Sequence, residues 1–203
     1  MKKASALFVF LGIFIGTFLS ADPGGLQRLK EGNKRYVQDQ LKHPDRTFSR
    51  RQALVSKQKP FAVIVGCADS RVAPEILFDQ GIGDLFVVRV AGNVIGSTEL
   101  DSILFATTAL GSDTLLVLGH EGCGAVQAVL DDQDAAIPAV AKLIRPAINR
   151  QTKSLQSAVK ANALRQKKQL AKNPTIKRLV ADGKLTLNAG YYHLKSGEVE
   201  LLD

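Results

Sequence analysis

Tryptophan is absent from this chain of 203 residues, and aromatic side chains make up 6% of it. The interior must therefore be filled by Val, Leu, Ile and Ala. A hydrophobic content of 45% supplies enough of them to exclude a disordered polymer. Cysteine occurs only twice, so at most one internal disulfide can form. There is no internal repeat and no low-complexity tract, and the length argues for one domain with a real core. Acidic residues are missing between Pro138 and Ala181, where eleven Lys or Arg fall. That imbalance contributes to a formal charge of +8 and raises the question of nucleic acid or anionic lipid. Aromatic residues are missing from the same stretch, so nothing there can stack on bases. It reads as the solvated face of helices, with Lys and Arg stems over apolar surface, and no nucleic-acid partner is expected.

The amino terminus has a different texture. Lys2-Lys3 precedes an uncharged apolar run from Ala4 to Leu19, followed by the small residues Ser20-Ala21. These are the three parts of a secretory signal. Leu19 is not ideal three positions before a cut after Ala21, and an uncleaved anchor is the alternative. The run falls short of the roughly 20 residues that a spanning helix needs, which favours removal and no stable membrane span. Residues 1–21 are thus read as a signal peptide and 22–203 as a single domain, exported to the periplasm or secreted by a bacterium.

Within that domain, Leu26 to Gln40 has near-helical apolar spacing, weakened by Gly32-Asn33. His43-Pro44-Asp45 breaks the pattern, and Ser49 to Ser56 reads as a short helix. Apolar runs follow at Phe61–Gly66, Leu85–Val90, Thr114–Gly119 and Leu185–Tyr192, with a final short strand at Val199–Leu202. Their length and branching suit buried parallel strands. Asp79 to Asp84 reads as a turn. Ser97 to Leu110 supplies a helix capped by Ser97 or Thr98 and stopped at Gly111. Helical sequence runs from Ala125 to Ala181, interrupted at Pro138, Pro146 and Asn173-Pro174. The alternation predicts an α/β fold: a central, mostly parallel sheet flanked by helices.

Chemistry gathers after two of these strands. Cys67 and Asp69 follow the first, and His120 and Cys123 follow the third. Two thiols, one imidazole and one carboxylate form a four-ligand set that Zn²⁺ accepts. Ligand sites in such sheets lie at the carboxyl ends of strands, so neighbouring strands would join the two pairs. Taken singly, the cysteines read as a disulfide or two buried thiols, and the histidine as a capping or core residue. Their joint placement at strand ends favours a metal. Asp69 and Arg71, two residues apart, can face the same way, and a bidentate arginine can hold a carboxylate off a metal.

Several segments carry a resemblance to one family: Gln58-Lys59-Pro60-Phe61, Cys67-Ala68-Asp69-Ser70-Arg71-Val72, Gly83-Asp84-Leu85-Phe86-Val87-Val88-Arg89, Ala91-Gly92-Asn93 and Gly119-His120-Glu121-Gly122-Cys123-Gly124-Ala125. Together they resemble a β-class carbonic anhydrase. The likeness extends to Glu31–Tyr36, Ala189–Tyr192 and Ser196–Val199, spans Leu26 to Leu202, and is weakest from Ala135 to Leu179. It implies one zinc per chain on Cys67, His120 and Cys123. Asp69 then either binds the metal itself or pairs with Arg71. It implies a substrate pocket of Gln58, Phe86, Ala91 and the Gly124 N–H. Phe105 stands where the family usually has a tyrosine, expected from a partner subunit, and Val90 where many relatives have asparagine.

The implied reaction is reversible hydration of CO₂ to bicarbonate and a proton. Zinc-bound hydroxide attacks CO₂, Asp69 and Arg71 orient the hydroxide, and Gln58 hydrogen-bonds the substrate; zinc lowers the pKa of bound water from 15.7 to about 7. His43 and His193 read as surface residues rather than proton relays. The resemblance further implies a homodimer or homotetramer. Two alternatives stand beside it: a related zinc hydrolase acting on CS₂ or COS, and a non-enzymatic exported protein with a Cys67–Cys123 disulfide.

Overall fold

A computed structural model describes residues 24–149, 152 and 154–203; the signal peptide expected over residues 1–21 lies outside the described residues. The predicted runs form five strands: β1 Ala62–Gly66, β2 Leu85–Arg89, β3 Thr114–His120, β4 Thr186–Tyr192 and β5 Val199–Leu202. Their order across the sheet is β2-β1-β3-β4-β5. The first four are parallel, and β5 returns antiparallel to β4. Every residue of β1 and of β3 is buried. That is why both read as unbroken apolar runs rather than alternating ones.

Among the described residues, eight α-helices accompany the strands, the first two ahead of β1 and the rest between strands: α1 Gly25–Val37, α2 Phe48–Ala53, α3 Pro74–Leu77, α4 Ser97–Thr108, α5 Gly124–Leu130, α6 Pro138–Ile144, α7 Leu155–Leu170 and α8 Pro174–Ala181. Side chains alternate across the sheet. Val63, Val65, Leu115 and Val117 pack with Ile103 and Ala106 of α4 and Ala163 and Leu170 of α7. Ala62, Ile64, Leu116 and Leu118 pack with Leu29 of α1 and Leu77 of α3. The result is a helix–sheet–helix sandwich. A third cluster at the carboxyl ends of the strands joins Cys67 and Cys123 to Val126, Ile144 and Val159.

The helical punctuation follows local chemistry. Pro138 and Pro174 stand at the first positions of α6 and α8, where a missing N–H costs nothing. Asn173 Oδ1 accepts from the N–H groups of Thr175 and Ile176 and so starts α8. One expectation is corrected. The cap of α4 is Gly96 rather than Ser97 or Thr98, because Glu99 reaches back to accept the Gly96 N–H at 2.9 Å. Gly32-Asn33, poor for helix propensity, docks α1. A Cβ at position 32 would lie 1.7 Å from the Phe78 carbonyl oxygen. Asn33 Nδ2 donates to Leu77 O and Gly197 O, and its Oδ1 accepts from Val199 N–H. The chain between β1 and β2 also holds the four-residue α3, whose single turn is too short to show a period.

Candidate metal centre

β1 leads to β2 on one side, and β3 lies on the other side of β1. The carboxyl ends of β1 and β3 therefore flank the switch point of the sheet, the crevice where open α/β folds bind ligands. Cys67 leaves β1 there, His120 ends β3, and Cys123 caps α5. Their ligand atoms all lie within 4.8 Å of one another, and all three residues are buried. Both cysteines are free thiols, so the disulfide alternative does not describe this structure.

Each ligand is held by backbone. His120 Nδ1 lies 2.8 Å from the Glu121 carbonyl oxygen. A carbonyl only accepts, so Nδ1 carries the hydrogen and the bare lone pair of a neutral ring is on Nε2. That Nε2 is fully buried and has no hydrogen-bond partner. Cys67 Sγ accepts the Gly92 N–H at 3.2 Å. Gly92 has φ +69°, and a Cβ there would stand 2.7 Å from Ile144 Cδ1, so glycine is required. The two thiols titrate as a pair. Cys67 is pulled down by the hydrogen bond from Cys123, helped by the N–H groups of Asp69 and Gly92, against the cost of burial. Cys123 is pushed up by making that same bond and by burial.

Asp69 stands beside the three ligands, its Oδ2 3.9 Å from His120 Nε2. Arg71 clamps it: Nε and the backbone N–H donate to Oδ1, each at 2.9 Å, and Nη2 donates to Oδ2 at 2.8 Å. This fork holds the Asp69 carboxyl well below the usual carboxylate range, outweighing its partial burial. Oδ1 is filled by two donors, so Oδ2 keeps the spare lone pair. Of the two dispositions expected for Asp69, the structure has the pairing with Arg71.

Arg89 was not anticipated from the sequence. Its Nε donates to Cys67 O at 2.9 Å and its Nη2 to Asp69 O at 2.6 Å, pinning the backbone that carries both side chains. Its sequence signals are a cation closing an apolar strand and its place at the end of a segment that resembles the family.

One chain divides the expected pocket into two groups. Ala91 opens the 3-10 turn Ala91–Asn93, whose Gly92 touches Cys67, and Gly124 begins α5 next to Cys123; both adjoin the metal cluster in the chain. Gln58 is not brought there. It lies exposed ahead of the amino end of β1, whereas Cys67 follows the carboxyl end. Five intervening strand residues at about 3.3 Å each separate them. Phe86 pairs with Val63, in the amino half of the sheet. Phe105, 52% exposed on α4, lies 6.5 Å from Phe86 of the same chain, ring centre to ring centre. His193 Nε2 is 3.3 Å from Glu200, the backbone N–H of His43 is bound to Asp79, and neither histidine is in the ligand cluster.

The donor set fits zinc. Two sulfurs and one nitrogen, with no fourth residue in the cluster among the described residues, match a site of three protein ligands with one position open. Two thiolates also cancel the charge of a dication, which removes most of the penalty of burying one. The orphaned His120 Nε2 is the observation that a metal explains.

Comparison with known proteins agrees with this geometry. The sequence profile of the family described as carbonic anhydrase matches residues 62–199. A carbonic anhydrase of Mycolicibacterium smegmatis is 42% identical over 85% of this chain and 89% of that protein. Carbonic anhydrase 2 of Mycobacterium tuberculosis is 40% identical over 86% and 90%. The solved structure of the β-carbonic anhydrase CcaA superposes with a TM-score of 0.70 at 28% identity, covering 88% of this chain and 95% of that one. The chain belongs to the β class of the carbonic anhydrase family and, like that family's members, is an enzyme.

Proposed function

We propose that the protein catalyses the reversible hydration of CO₂ with one zinc ion held by Cys67, His120 and Cys123. The observation that carries this is the convergence of two free buried thiols and an unpartnered imidazole nitrogen at the switch point. Zinc on such ligands acidifies water and so supplies a nucleophile at neutral pH. The rest is done by the protein. Ionised Asp69 can only accept hydrogen bonds, and Arg71 keeps it ionised. Its spare Oδ2 lone pair is therefore placed to accept a hydrogen bond from an attacking O–H, which would turn the oxygen lone pair toward the carbon. A ligand that cannot donate there leaves Oδ2 facing an acceptor. Gly124, exposed at the start of α5, directly follows Cys123 and leaves its N–H free of the helix's own carbonyls.

The separation of Gln58, Phe86 and Phe105 from the metal cluster favours a homodimer in which these three residues complete the pocket of a second copy. Half-exposed Phe105 is an apolar surface such a contact covers.

The central test is a zinc determination joined to a CO₂ hydration assay. Purified protein is expected to hold about one zinc per chain, to hydrate CO₂, and to release two titratable thiols when the metal is stripped. A fully metallated sample without hydration activity overturns the reading.

A further inference from the structure

Helix α7 falls in the stretch where the sequence least resembles the family, yet it reaches the metal site. Asn162 and Gln166 lie one helical turn apart and are 0% and 3% exposed. Asn162 Nδ2 donates to the Gly92 carbonyl at 2.7 Å. Gln166 Oε1 accepts the Ile95 N–H at 3.2 Å. The two amides are joined, Gln166 Nε2 donating to Asn162 Oδ1 at 3.2 Å and also reaching Leu143 O at 3.4 Å. Both ends of the segment 92–95 are thus tied to one helix, and the Gly92 N–H at its start points at Cys67 Sγ.

We propose that Asn162 and Gln166 are positioning residues for Cys67: they fix the 92–95 segment so that the Gly92 N–H stays directed at the metal-binding sulfur. The inference rests on the zinc reading above. A hydrogen bond to a thiolate draws charge from the sulfur and fixes its rotamer. Cutting Asn162 leaves the Gly92 carbonyl buried without its donor, and the turn relaxes to find another. The sulfur then loses its N–H, and the metal meets a ligand that is differently oriented and less firmly held. Partners one step removed from a metal typically control its affinity by about 10–100-fold.

The test compares four metal-loaded proteins: wild type, Asn162→Ala, Gln166→Met and Leu170→Ala. Zinc affinity is read by chelator competition, and the thiolate-to-metal absorption band is read after cobalt substitution. Asn162→Ala and Gln166→Met are expected to lose about 10–100-fold in zinc affinity and to shift the cobalt band. Leu170→Ala removes a side chain that is 2% exposed at the far end of the same helix. It is expected to lower thermal stability and leave both metal readouts in place. Wild-type affinity and an unmoved band in both amide variants overturn the proposal, as does an equal effect from Leu170→Ala. Should Asn162→Ala fail to fold, the near-isosteric Gln166→Met decides. Wild-type protein that takes up no metal sinks the zinc reading as well; wild type that binds metal beside unaffected variants sinks this proposal alone.

Discussion

At the scale of single residues, the site was legible where side-chain type and spacing carry the chemistry. Cys67, Asp69, Arg71, His120 and Cys123 stand out because thiol, imidazole and paired carboxylate recur within a few residues of two strand ends. What holds them was not legible. Arg89, Asn162 and Gln166 act across long stretches of chain, and a buried amide looks the same in sequence as an exposed one. The same holds for Asp79. Its side chain is fully buried and accepts from Arg35 Nε at 2.6 Å and from the N–H groups of Lys42 and His43, each at 3.0 Å. Burial pushes its carboxyl up, but these donors outweigh it and hold the group below its ordinary value. A depressed native pKa adds stability above the unfolded value of about 3.9, and that stability is lost as pH falls through the native value. Asp79→Asn is therefore expected to cost about 1–3 kcal/mol at pH 7. The wild-type advantage should shrink below about pH 4. Urea titrations of both proteins at pH 7 and pH 3 check this, and an advantage that grows in acid contradicts it.

Elements were easier to read than their joints. All five strands fall within a residue or so of their runs, β1 and β3 most plainly, because a strand buried along its whole length has a composition no loop shares. The joints depend on close approaches that sequence does not display. Gly119, next to His120, shows this. A Cβ there would sit 2.7 Å from Val159 Cγ1 of α7. The glycine lets α7 lie flat on the end of β3, and so lets Asn162 reach Gly92. Gly119→Ala is expected to destabilise by about 1–3 kcal/mol. Val159→Ala, which removes the opposing methyl groups, should relieve part of that. A double-mutant cycle should show coupling of about 0.5–3 kcal/mol, and strictly additive effects would falsify the contact as the cause.

For the whole molecule, the prediction concerns the second copy. If Gln58 and Phe105 serve a neighbouring chain's metal, two defective proteins can repair each other. Cys67→Ser removes a ligand but keeps Gln58; Gln58→Ala keeps the ligands. Each is expected to be impaired alone. After co-refolding, random mixing gives half mixed dimers, each with one intact pocket, so activity should recover to about a quarter of wild type. No recovery, in a sample that sedimentation shows to be dimeric, places the pocket within one chain.

The strand order has a consequence for timing. Cys67 and Cys123 are far apart in the chain, with β2 and α4 between them, and they meet only once β3 has paired with β1. No short stretch of the unfolded chain contains the ligand trio, so the ion cannot seed the fold as it does in small finger domains. On the zinc reading, capture by all three ligands waits for the non-local pairing of β3 with β1. Until then two thiols travel unguarded, and the interval before metal arrives is when they are open to oxidation.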